Sequence, residues 1–143
     1  MKVSTEGGRR RAREVVFRVA YQADLMRESF LASWNRTREE ARLSDDQAQL
    51  VDDVVRALEQ RGGEIDAALQ AAAEHWQIER LAATDRAVLR AAVAELLERP
   101  GTPARVVLDE AIEIARRFGS ADSGRFVNGV LDRVARSLRA GEF

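Results

Sequence analysis

Arg9, Arg10, Arg11 and Arg13 crowd one short stretch near the start of the chain, and Phe17 and Tyr21 follow at helical spacing. A guanidinium group binds phosphate as a planar, bidentate donor. Flat rings stack on unpaired bases. Together these residue types suit binding of single-stranded RNA. At about 100° per residue, Ala12, Val15, Val16, Val19, Ala20, Ala23 and Met26 share one helix face. Arg10, Phe17 and Tyr21 fall opposite, with Arg13 and Glu14 at the edges. A helix apolar on two sides also fits between two packing layers. Phe17 is therefore expected in the core, and Tyr21 stays open between core and ligand.

A second set of hydrogen-bonding groups lies near the end of the chain: Asp122, Ser123, Arg125 and Asn128, around Phe126. Val127, Val130, Leu131, Val134 and Leu138 form a helical stripe there. Phe126 sits about 100° off that stripe, to flank the core or stand exposed. Gly129 costs about 1 kcal/mol in a helix relative to alanine, and close helix packing is its expected reason.

Other chemistry lacks the residues it needs. His75 is the only histidine, and no G-x-S-x-G elbow is present. No H-E-x-x-H, Walker loop or G-x-G-x-x-G occurs. The chain has no cysteine, which excludes disulfides and thiolate-bound zinc. Asp109, Glu110 and Glu113 read as a solvated helix face, with Glu113 and Arg117 as an i, i+4 pair. No enzyme activity, metal or cofactor is expected.

The elements that must position these residues read as helices. A polar, glycine-bearing tail is expected over residues 1–8, then one domain over 9–143. Helices are predicted at about 9–27 and 30–36. The S-D-D-Q at 44–47 is a capping box, and it opens a helix carrying Leu50, Val51, Val54, Val55 and Leu58. The glycines at 62 and 63 are expected to stop it, and another helix follows over about 64–74. Trp76, Ile78 and Leu81 read as an apolar hinge. Thr84 is predicted to cap the next helix, with Asp85 in its first turn. Thr102 and Pro103 are predicted to start another, closed by Gly119. A last helix covers about 122–138. The result is an all-α chain of six to seven helices, with two subdomains possible about the glycine pair.

Composition agrees. The chain has 143 residues, enough for one buried core, and only two prolines. Hydrophobic residues make up 45% and charged residues 33%, as in an ordinary folded chain. The net charge of −1 excludes a general polycation. Lys2, Arg9, Arg10, Arg11, Arg13 and Arg18 nevertheless outnumber Glu6 and Glu14 at the start. A basic end on a mildly acidic body suggests one specific anionic contact, or a solubilising tail. No apolar run approaches the roughly 18 residues of a membrane span, and no secretion signal is evident, so the expected location is the cytoplasm.

Three segments in order resemble the NusB family: RRRAREVVFRVAYQ at 9–22, RLAATDRAVLRAAVAELL at 80–97 and TPARVVLDEAIEIARRFGSADSGRFVNGVLDRVAR at 102–136. The last is the most specific, through DEAIEIA, FGS and FVNGVLD. The resemblance implies a compact all-helical fold of two small bundles. It implies a transcription antitermination factor that binds boxA RNA of ribosomal RNA leader transcripts. It implies the ribosomal protein NusE as partner, and loading of the complex onto RNA polymerase. By this resemblance Arg9, Arg10, Arg11, Arg13, Tyr21, Asp122 and Phe126 contact RNA, while Asp85 and Tyr21 meet the partner. Ser123-Gly124-Arg125 departs from many relatives, and some relatives form homodimers over the RNA face. Two alternatives stand beside this reading: an RNA-binding module associated with a ribosomal RNA cytosine methyltransferase, and a structural helical homodimer.

Overall fold

Leu50, Val51, Val54, Val55 and Leu58 recur at helical spacing, and all five are buried. Each such side chain contributes about 1.5–3 kcal/mol when removed from water. The same logic repeats along the chain. The computed structural model describes residues 5–143, with side chains from Gly8 onward. The described residues form seven α-helices and two short 3-10 turns. The helices are α1 (Thr5–Met26), α2 (Phe30–Ala41), α3 (Asp45–Gln60), α4 (Gly62–Ala72), α5 (Ala83–Glu98), α6 (Ala104–Phe118) and α7 (Ser123–Leu138). The turns span Ile78–Arg80 and Ala140–Glu142.

α5 is the hub. It packs against α1, α3, α4, α6 and α7. Ala87, Val88, Leu89, Ala92, Val93, Ala94, Glu95 and Leu96 are buried on it, which is more than one face can supply. On one side lie α1, α2 and α3, and on the other α4, α6 and α7. One continuous apolar cluster runs through both groups.

The capping box of α3 forms as expected: Ser44 Oγ accepts from Gln47 N–H at 3.2 Å, and Gln47 Oε1 accepts from Ser44 N–H at 2.9 Å. Several boundaries move. α1 begins at Thr5 rather than near Arg9, so residues 5–8 of the expected tail are helical. Residues 1–4 of that tail lie outside the described residues. α3 already ends at Gln60, and Gly62 opens α4 instead of stopping its predecessor. Thr84 does not cap α5. Ala82 holds that position, with no side-chain bond. α6 starts at Ala104, one residue beyond the expected proline, and Thr102 is buried. The chain end supplies the missing cap there, because Glu142 Oε1 accepts from Ala104 N–H at 2.8 Å.

Three expectations about side chains are corrected. Gly129 faces open space, with nothing within 4 Å of a Cβ placed there. Close packing does not explain it. Met26 and Leu138 are exposed at the ends of their stripes. Arg117 turns away from Glu113 and pairs with Glu14 on α1 at 2.5 Å.

Candidate nucleic-acid interface

The i, i+4, i+7, i+11 stripe of Arg10, Glu14, Phe17 and Tyr21 runs along α1 beside α6. Arg10 stands with its side chain 61% exposed, and its guanidinium donates to both Glu110 carboxylate oxygens at 3.0 Å. Those bonds to Glu110 raise the Arg10 pKa further above its ordinary value. Glu14 takes Arg117. Phe17 is buried and stacks on Phe118 at 5.2 Å between ring centroids. Tyr21, half-buried, stacks beyond it at 6.1 Å. Arg18 and Arg117 both lie over the Phe118 ring, at 5.6 and 5.0 Å. Each is a cation–π contact, so cation and ring share one surface.

Arg11 turns the other way. It is exposed and donates to the Ala41 carbonyl at 3.2 Å. With Arg18, Tyr21, Gln22, Leu25 and Met26 it lines a groove between α1 and α2. Tyr21 thus borders both surfaces. Arg9 is half-buried and lies 3.9 Å from Asp46.

Arg13 is not on either surface. Its side chain is 5% exposed, and its guanidinium donates to Glu95 at 2.8–3.1 Å. A charge in that position is already matched and closed to a strand. The helical wheel placed Arg13 at the edge of the polar face. It could not show that α5 brings a carboxylate there.

A second groove lies where α5 and α7 begin. Asp85, Asp122, Arg125 and Phe126 line it together with Trp76 and Arg80. Ser123 is buried and bonds the Ser120 N–H at 2.9 Å, closing the turn before α7. Asp122 is exposed at the N-cap and makes no side-chain capping bond, so its carboxylate is available at the rim. Asp85 Oδ1 is buried without a hydrogen-bond partner. Phe126 packs partly on the core and meets Trp76 edge-on at 5.6 Å and 74°.

The fold therefore gathers Asp85, Asp122 and Phe126 in one groove and Arg11 and Tyr21 in another, with Arg10 along the α1–α6 edge. Sequence reasoning missed Arg18, Phe118, Trp76 and Arg80. Two signals were present. Arg18 follows Arg11 by seven residues, two helical turns. Trp76 stands among Glu74, His75 and Gln77, which is poor company for a core residue. Among the described residues no cluster of three or more His, Cys, Asp or Glu is arranged to hold a metal. No helix among them is long and apolar enough to cross a membrane.

The chain is similar to known proteins over almost its whole length. It is 42% identical to the transcription antitermination protein NusB of Koribacter versatilis, covering 94% of this chain and 92% of that one. It is 40% identical to the NusB of Anaeromyxobacter dehalogenans, covering 94% and 96%. Among solved structures, NusB of T. maritima superposes with a TM-score of 0.85 at 36% identity, covering 95% and 93%. A chain from a crystal structure of antitermination factors NusB and NusE in complex with dsRNA gives 0.75 at 28% identity, covering 91% and 97%. These relatives favour the antitermination reading over a methyltransferase module or a structural dimer. The NusB family model matches residues 10–136, and with the helical architecture and these relatives it places the chain in the NusB family.

Proposed function

We propose that this transcription antitermination factor binds boxA RNA of ribosomal RNA leader transcripts in the cytoplasm, jointly with NusE, and acts as a non-catalytic adaptor toward RNA polymerase. The observation that carries the reading is the run of cations along α1, exposed at Arg10 and Arg11 and half-buried at Arg9, together with the half-buried rings of Tyr21 and Phe126. Arg9, Arg10 and Arg11 supply donors to phosphates. Tyr21, Asp122 and Phe126 supply a ring, an acceptor and a second ring to unpaired bases. Tyr21 and Asp85 are assigned to the junction with NusE, because each borders a groove. Arg13 is not in the set, because its guanidinium is buried against Glu95, whereas the Arg10 side chain stays exposed beside Glu110. A gel shift with boxA RNA, alone and with NusE, tests the reading. The expected result is binding by the chain that tightens with NusE. Absence of a shift under both conditions contradicts it.

A further inference from the structure

Trp76 is 56% exposed, whereas Trp34 is 1% exposed. The exposed ring is not loosely held. Its main chain is clamped by Gln70, whose amide donates to the Trp76 carbonyl at 2.6 Å and whose Oε1 accepts from Ile78 N–H at 3.3 Å. Trp76 N–H also bonds the Ala73 carbonyl at 2.8 Å. The edge-on contact with Phe126 fixes the ring and keeps it from collapsing onto the core.

The groups around it are of two kinds. Arg80 and Arg125 line the groove, are exposed and have no carboxylate partner among the described residues. The buried or half-buried guanidiniums near the hub helix are matched, as in Arg86 with Asp24, Arg90 with Asp66 and Arg99 with Asp53. Asp122, exposed at the rim, offers a carboxylate acceptor in the same groove. An unpaired nucleotide presents a flat base with N–H donors and a phosphate on the other side. Ring, acceptor and free guanidiniums match those parts in turn.

We propose that Trp76 and Phe126, meeting at an edge, form an L-shaped slot in which one unpaired nucleobase of the bound RNA stacks on the exposed Trp76 face, with Arg80 and Arg125 at the adjoining phosphates. The proposal rests on the RNA-binding reading above. It makes Trp76 a residue that touches RNA and carries the RNA path from α7 onto the turn before α5.

Tryptophan fluorescence and the anisotropy of labelled boxA RNA test it together. RNA should quench an emission component that the Trp76→Phe variant lacks, while buried Trp34 stays unchanged. Trp76→Ala should weaken RNA binding about tenfold, the scale of one lost base stack, and Trp76→Phe should restore most of it. One abasic substitution along boxA should make wild type and Trp76→Ala equal. If RNA binds but neither quenches Trp76 nor responds to Trp76→Ala, the slot is wrong and RNA binding stands. If NusE alone shields Trp76 from acrylamide and RNA does not, a protein occupies the groove and the proposal is overturned. If boxA RNA fails to bind at all, the functional reading falls and the slot with it.

Discussion

Arg13 and Glu95 form a two-pronged ion pair whose side chains are only 5% and 4% exposed. The arginine comes from the basic run of α1 and the glutamate from the hub helix. The pair fixes α1 on α5 and removes one guanidinium from the solvent face. Loss of one partner leaves a buried charge unmatched, which costs about 3–5 kcal/mol. Arg13→Ala and Glu95→Ala should each lower the urea midpoint sharply. The joint Arg13→Met, Glu95→Leu variant should recover much of the loss, because two apolar groups need no partner. A double variant as unstable as the singles would show that the pair is not what matters there.

Arg10 and Arg11 are exposed, so their removal should leave the melting temperature close to that of wild type. Affinity for boxA RNA should fall in the Arg10→Ala, Arg11→Ala variant, and the salt dependence should become shallower by about 0.7 per lost phosphate contact. Anisotropy at several salt concentrations measures both. An unchanged slope would remove these arginines from the phosphate contacts.

The glycines of the last two helices separate by environment. A Cβ at Gly129 meets nothing, so Gly129→Ala should stabilise the protein by up to about 1 kcal/mol through helix propensity. A Cβ at Gly119 would lie 2.7 Å from Ser123 Cβ and 2.8 Å from the Ala115 carbonyl oxygen. Gly119→Ala should destabilise it. Thermal melts that show the same sign for both would contradict the packing described. Val130 is buried on α7, and Val130→Asp should destabilise the whole fold.

Glu142 links the chain end to α6. Its pKa is lowered, first by the Ala104 N–H and then by Arg139, against a smaller opposing effect of desolvation. A carboxylate depressed in the folded state contributes stability above its unfolded pKa and loses it as pH falls through the folded value. Wild type and Glu142→Gln should therefore converge in melting temperature as pH drops below the ordinary carboxylate range. A gap that stays constant down to strong acid would rule out this linkage.

Much of this was legible in the residues themselves. The stripes of α3 and α7 and the capping box at Ser44 follow from periodicity and local hydrogen bonding. So did the burial of Phe17. Boundaries set by distant partners were not legible. Nothing near Ala104 announces that Glu142 will cap it. Arg27 and Arg42 take positive φ of 53° and 51° after α1 and α2, where glycine is the usual signal. The binding surface was half legible. Residue type marked Arg9, Arg10, Arg11 and Arg13 as candidates alike, and only the fold shows that Arg10 and Arg11 are exposed while Arg13 faces Glu95. Trp76 looked like part of an apolar hinge, because a sequence does not show which side of a turn faces water.

The direct test of the central claim is a titration of labelled boxA RNA against the chain at increasing salt. Three phosphate contacts at Arg9, Arg10 and Arg11 predict log–log dependence with a slope of about −2 or steeper for a single strand. Affinity that is flat with salt, or no complex even at low salt, would contradict the account.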